Sequence, residues 1–165
     1  MVNEQFSQGI EITENMISQL GQMAMIWGKH FALDEELIQN YLEGKPEAIQ
    51  SRLINLQKKA SSDVAILLDG HGRIVSHSDT MLRIGESLMS WTLTRQGILD
   101  GEVGAAIVQD LNSFILYAAT PLFRHDSPEE QIGLVLVGYV INDAFINNIH
   151  RNTKVNITIV RHRAI

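Results

Sequence analysis

Apolar positions near the start of the chain recur in steps of three and four. Phe6, Ile10, Ile17, Leu20, Ala24, Trp27 and Phe31 form one stripe, which predicts helix from about residue 3 to 42 with one buried face. Asp34 fits a cap at a bend, with Leu37, Ile38 and Tyr41 continuing the stripe beyond it. Gly44-Lys-Pro46 interrupts the pattern, glycine ending one helix and proline opening the next. Glu47 to Ala60 predicts a further helix with Ile49, Leu53, Ile54 and Leu56 on its buried side.

After Ser61-Ser62-Asp63 the period shortens to that of strands, expected near 63–68, 73–77, 102–109, 113–123, 131–140 and 154–160. Val64 to His77 reads as strand, tight turn and strand. The turn carries Asp69, Gly70 and Gly72, where glycine supplies a positive φ at no steric cost. Short helices are expected over Ser87–Gln96 and Asp143–Arg151, the latter capped by Asn142 or Asp143. Asp110-Leu-Asn112 is a hairpin turn, and His125 to Glu130 a polar loop. Leu134-Val-Leu-Val137 is apolar on both faces, so both sides of the sheet must be covered. The long N-terminal helix covers one. The crossover from Ser78 to Gly101 covers the other and leaves a cavity beneath it. The expectation is an α+β domain with a mainly antiparallel sheet of five to six strands.

Composition narrows the function classes. At 165 residues the chain suits one domain, with 1–60 a helical lead-in and 61–165 the α/β core. An apolar share of 45% is that of a folded protein, and a net charge of −6 without a basic cluster argues against nucleic acid. With no cysteine, disulfides, thiolate zinc sites and thiol catalysis are excluded. No apolar run reaches the roughly 18 residues of a membrane span, and no signal peptide is visible. The chain starts in helix-like sequence and stops after a strand-like run, as expected of a receptor domain taken from between two membrane helices. A small cytosolic protein is the other reading.

Catalytic patterns are missing. There is no phosphate-binding glycine loop, no Gly-x-Ser-x-Gly elbow and no His-Glu-x-x-His helix. No enzymatic activity, cofactor or metal is expected. Among the six histidines, His71 and His125 belong to turns or loops, and His150 and His162 to element ends. His30 lies one turn beyond Trp27 and suits packing. His77 ends the second strand, where the chain enters the crossover. A ligand contact and a structural hydrogen bond both fit that place. The crossover also carries Arg83, Trp91 and Arg95. A guanidinium fork pairs with carboxylates and an indole offers a flat wall, although ordinary core is the stronger reading of Trp91. Tyr117 and Tyr139 lie on strands, where a buried hydroxyl seeks a polar partner. These six side chains, His77, Arg83, Trp91, Arg95, Tyr117 and Tyr139, are the candidate ligand contacts.

The order of Asp69-x-x-Gly72, Ile84-Gly85, Pro121, Gly133, Gly138-Tyr139 and Thr153-Lys-Val-Asn-Ile-Thr158, behind the helical lead-in, resembles the single Cache group of PAS-like extracellular sensors. The resemblance implies the periplasmic sensor of a bacterial inner-membrane receptor: a chemoreceptor, diguanylate cyclase, phosphodiesterase or histidine kinase. It also implies a small solute such as an organic acid or amino acid, and membrane attachment through segments outside this chain. In citrate- and dicarboxylate-sensing relatives a histidine at the place of His77 contacts the acid, helped by an arginine three residues earlier. Here Ile74 stands at that position, and Arg73 should face the other side of its strand. The aromatic-Arg-Trp-Tyr signature of amino-acid-binding double Cache domains is absent. A homodimer is expected through the N-terminal stripe, which Met16, Met23, Met25 and Ile26 widen; the alternative is that these residues fold into one core. An intracellular PAS or GAF-like interaction module and a small enzyme using His77 are the competing readings.

Overall fold

The computed structural model describes residues 2–78, 82–110 and 113–142. Three helices open the chain: α1 (Val2–Ala32), α2 (Glu35–Leu42) and α3 (Pro46–Ala60). The bend is built as expected. Asp34 caps α2, accepting the Leu37 N–H at 2.8 Å. Arg52 of α3 donates to the same carboxylate, Nε at 3.0 Å and Nη2 at 2.6 Å. Burial by itself raises the Asp34 pKa, but the hydrogen bonds from Arg52 and Leu37 outweigh it and hold the carboxyl below its ordinary value. Gly44 takes a φ of +64° at the break, and Pro46 is the first residue of α3.

Five strands follow, interrupted by one further helix: β1 (Val64–Asp69), β2 (Ile74–His77), α4 (Thr92–Asp100), β3 (Gly104–Asp110), β4 (Ser113–Phe123) and β5 (Gln131–Ile141). They form one antiparallel sheet in the order β2-β1-β5-β4-β3. The β1–β2 turn is organised by Asp69, whose Oδ1 accepts the N–H groups of His71 at 2.8 Å and Arg73 at 3.0 Å. Gly72, not Gly70, carries the positive φ there, +78°. The strand expected at 154–160 and the helix at 143–151 lie outside the described residues.

One face of the sheet is covered by α1, α2 and α3. Phe31, Leu37 and Leu53 are fully buried against Leu67, Leu122 and Val135. Each such side chain contributes roughly 1.5–3 kcal/mol by leaving water. The helix α1 approaches β4 closely at Gly28, where an added Cβ would lie 2.5 Å from Thr120 Oγ1. On this same face the Tyr139 hydroxyl donates to the Ala60 carbonyl, and that of Tyr41 to the Ile132 carbonyl, each at 2.8 Å. The sheet's other face packs Ile66, Leu68, Leu134 and Leu136 against Leu88 and Leu93 of the crossover.

The crossover helix begins later than its sequence pattern suggests, at Thr92 instead of Ser87. Residues before it are held extended against β2. The Ile74 N–H donates to the Glu86 carbonyl at 2.9 Å, the Gly85 N–H to the Ile74 carbonyl at 2.7 Å, and the Leu88 N–H to the Gly72 carbonyl at 2.9 Å. Cross-strand bonding thus takes the backbone groups that a helix from Ser87 would have used.

Candidate ligand site

The crossover face collects polar groups among its apolar residues. His77 pairs in register with Ile66, so its ring stands on the face that packs against the crossover. Its backbone neighbour is fastened on both sides: the Ser78 N–H donates to the Ala65 carbonyl, and the Ala65 N–H to Ser78 Oγ, each at 2.9 Å. That fixes where the imidazole starts. Its Nδ1 is buried and, among the described residues, has no hydrogen-bond partner. A buried imidazole nitrogen left so is costly unless something fills its valence.

Trp91 and Tyr117 stand on the same face, ring centroids 5.3 Å apart at 41°. Gly138 makes room for the tyrosine. A Cβ there would fall 2.7 Å from Tyr117 Cε1 and 2.6 Å from Val64 Cγ1, so the tyrosine ring lies over the glycine of the neighbouring strand. Thr94 of α4, fully buried, adds a hydroxyl without a partner among the described residues. Sequence reasoning passed over it, since a threonine between Leu93 and Arg95 carries no signal of its own.

The other three expected contacts point elsewhere. Arg95 turns its guanidinium onto its own loop, donating to the carbonyls of Met89 and Ser90 at 2.9 Å each and to Thr92 Oγ1 at 3.1 Å. It is a clamp on the entrance to α4. Arg83 is exposed, in a turn where its N–H donates to Glu86 Oε2 at 3.1 Å. Tyr139 lies on the opposite face, its hydroxyl spent on Ala60, so it cannot line a site beneath the crossover. Burial is the first cause, and Asp63 the second, of a phenol pKa raised above its ordinary value. Alternation along β5 explains the split, since neighbouring positions face opposite sides.

Residues 1–164 match the family described as the double sensory domain of two-component sensor kinase. The chain belongs to this family of sensory domains. The Cache resemblance and the α+β architecture are thereby borne out. Among solved structures, the sensory domain is similar to the E. coli DcuS sensor domain, with a TM-score of 0.66, 21% identity, and coverage of 82% of this chain and 97% of that one. The periplasmic domain of Vibrio cholerae LuxQ matches with a TM-score of 0.62 and 14% identity over 90% of this chain and 71% of its own. The ligand-binding domain of the Campylobacter jejuni chemoreceptor Tlp3, in complex with 4-methylisoleucine, matches with a TM-score of 0.58 and 11% identity over 90% of this chain and 58% of its own. At these identities the likeness carries the fold. No curated protein matches the chain.

Within the described residues of the sensory domain, no group of three or more His, Asp or Glu side chains could hold a metal ion. No helix among them is long and apolar enough to cross a membrane. A cavity of about 750 Å³ is present, but on the helix face, between α1, the end of β4 and two loops. None of the six expected contacts lines it.

Proposed function

We propose that this sensory domain is the periplasmic ligand-binding part of a membrane-bound receptor, and that a small acidic solute binds on its crossover face. His77 is its principal contact, on the face that carries Trp91 and Tyr117. The observation that carries this reading is the buried Nδ1 of His77, without a partner among the described residues, on a backbone pinned by Ser78. A carboxylate would satisfy it, and the two aromatic rings supply an apolar wall beside which charge contacts strengthen. Ile74, at the position where the dicarboxylate-sensing relatives carry an arginine, favours an organic acid or amino acid with one carboxylate at the histidine over a dicarboxylate. The bound 4-methylisoleucine of the Tlp3 domain supports the amino-acid class.

Residues 1–165 act as one module, 1–60 as lead-in and 61–165 as core. Of the outputs open to such receptors, membership in a family of two-component sensor-kinase domains supports a histidine kinase over a chemoreceptor, diguanylate cyclase or phosphodiesterase. The likeness to the periplasmic domain of LuxQ supports the periplasmic placement. Attachment to the membrane comes through segments outside this chain. Signalling runs through α1, which packs on β4 and β5; the solute shifts the equilibrium by its differential affinity for two arrangements of that contact. Two copies pair along the flank of α1 bearing Met16, Leu20, Met23 and Trp27, all at least partly exposed.

A thermal-shift screen of organic acids and amino acids tests the site. A ligand at 100 times its Kd adds about 2.7 kcal/mol to stability. The expected result is a monocarboxylate whose shift disappears in His77→Ala. A screen in which every stabilising solute acts on His77→Ala as strongly as on the parent protein would overturn the assignment.

A further inference from the structure

The cavity on the helix face has the make-up of a binding site in its own right. Its volume of about 750 Å³ falls within the roughly 300–1,000 Å³ of small-molecule pockets. Its walls are aliphatic and aromatic: Met25, Ile26 and Leu33 of α1 and its end face Val103, Pro121 and Phe123. Ile26 and Leu33 are each 59% exposed, and Val103 is 50% exposed, so apolar surface faces an open groove.

The charge of the lining is one-sided. Lys29, Arg124 and His125 line the cavity and no carboxylate does, although the whole chain carries a net charge of −6. Arg124 is already engaged outside, with Asp126 at 3.1 Å and Glu130 at 3.9 Å. Lys29 forms no ion pair with a described residue. Thr120 also lines the cavity; it is 6% exposed, and its hydroxyl has no hydrogen-bond partner among the described residues. An ammonium with no ion-pair partner and a hydroxyl with no hydrogen-bond partner among the described residues, beside a long apolar wall, match a ligand with a single anionic head and an aliphatic body.

We infer that the groove between α1 and the end of β4 is a second ligand site, for a free medium-chain alkyl carboxylate whose head meets Lys29 and whose chain lies along Met25, Leu33 and Phe123. The site is independent of the crossover face, because His77, Trp91 and Tyr117 take no part in it. A ligand seated there touches α1 beyond its close contact with β4 at Gly28, on the element through which the proposed signal travels. The flank carrying Met25, Lys29 and Ala32 is turned away from that carrying Met23 and Trp27, so pairing of two copies leaves the groove open.

Isothermal titration of the whole chain with octanoate, decanoate and decanol tests the inference, with Lys29→Gln and Val103→Trp as variants. Both positions are exposed, so folding is retained and is checked by circular dichroism. Decanoate is expected to bind one to one. Each methylene removed should weaken binding about fourfold. Lys29→Gln should weaken decanoate by up to about fivefold and leave decanol unchanged. Val103→Trp, which fills the groove, should abolish binding, whereas Leu99→Trp, outside the lining, should not. Three results would overturn the proposal: no binding, equal affinity for decanol and decanoate in the parent protein, or Val103→Trp changing the sedimentation of the ligand-free protein. The last would make the groove an interface between copies.

Discussion

On the helix face of the sheet, two tyrosine hydroxyls and one ion pair tie together segments far apart in sequence: Tyr139 to Ala60, Tyr41 to Ile132 and Arg52 to Asp34. On the crossover face most side-chain contacts are short-range, the long tie being that of Gln131, whose Nε2 donates to the Gly97 carbonyl of α4 at 2.8 Å. Arg95 holds residues a few positions before it, and the loop is laced to edge strand β2 by backbone bonds. Both faces are apolar, so the hydrophobic effect does not distinguish them. What differs is how far each polar tie reaches. The helix layer is fastened by long ties at several points, whereas on the crossover such a tie reaches α4 at Gly97, past its first turn. This predicts that the segment leading into α4 opens more readily than the helix layer.

The contrast should be plainest in the two cores. Phe31→Ala, on the helix face and fully buried, should cost about 3–5 kcal/mol in chemical denaturation. Trp91→Ala, half-exposed on the crossover, should cost about 2 kcal/mol and should abolish the response to the screened acid. Equal losses would mean that both faces are equally structural.

Next in size is the Asp34 cap. Asp34→Ala should cost about 1–2 kcal/mol at neutral pH, because it removes the cap and the partner of Arg52. The folded carboxyl titrates below its unfolded value, so its contribution is present in full above the ordinary aspartate value of 3.8. It is lost as pH falls from there through the lower folded value. Denaturation midpoints of parent and variant should therefore converge in acid.

Smaller effects sharpen the same contrast. Tyr139→Phe strands the Ala60 carbonyl and should cost about 1 kcal/mol without altering ligand response. Arg95→Gln should change global stability by less than about 0.5 kcal/mol, yet speed hydrogen exchange in the first turn of α4.

The helices and strands were legible because their signals are local. The stripe from Ile17 to Phe31, the break at Gly44-Lys-Pro46 and the Asp69 turn each declare themselves within a few residues. The onset of α4 was not, since Glu86 and Leu88 are drawn out of helix by partners on Ile74 and Gly72, which no local pattern displays. The placement of the candidate residues was legible in part. His77, Trp91 and Tyr117 do share a face, but alternation along β5 put Tyr139 on the other, and Arg95 found acceptors in its own loop. Thr94 and the α1 groove had no sequence signal at all, because each arises where distant segments meet.

Hydrogen–deuterium exchange with and without the acid that shifts the melting temperature tests ligand sensing on the crossover face most directly. Protection is predicted to rise in β2 around His77 and across α4, with α2 and α3 unchanged. Protection that appears on the helix layer while β2 and α4 stay as they were would contradict it.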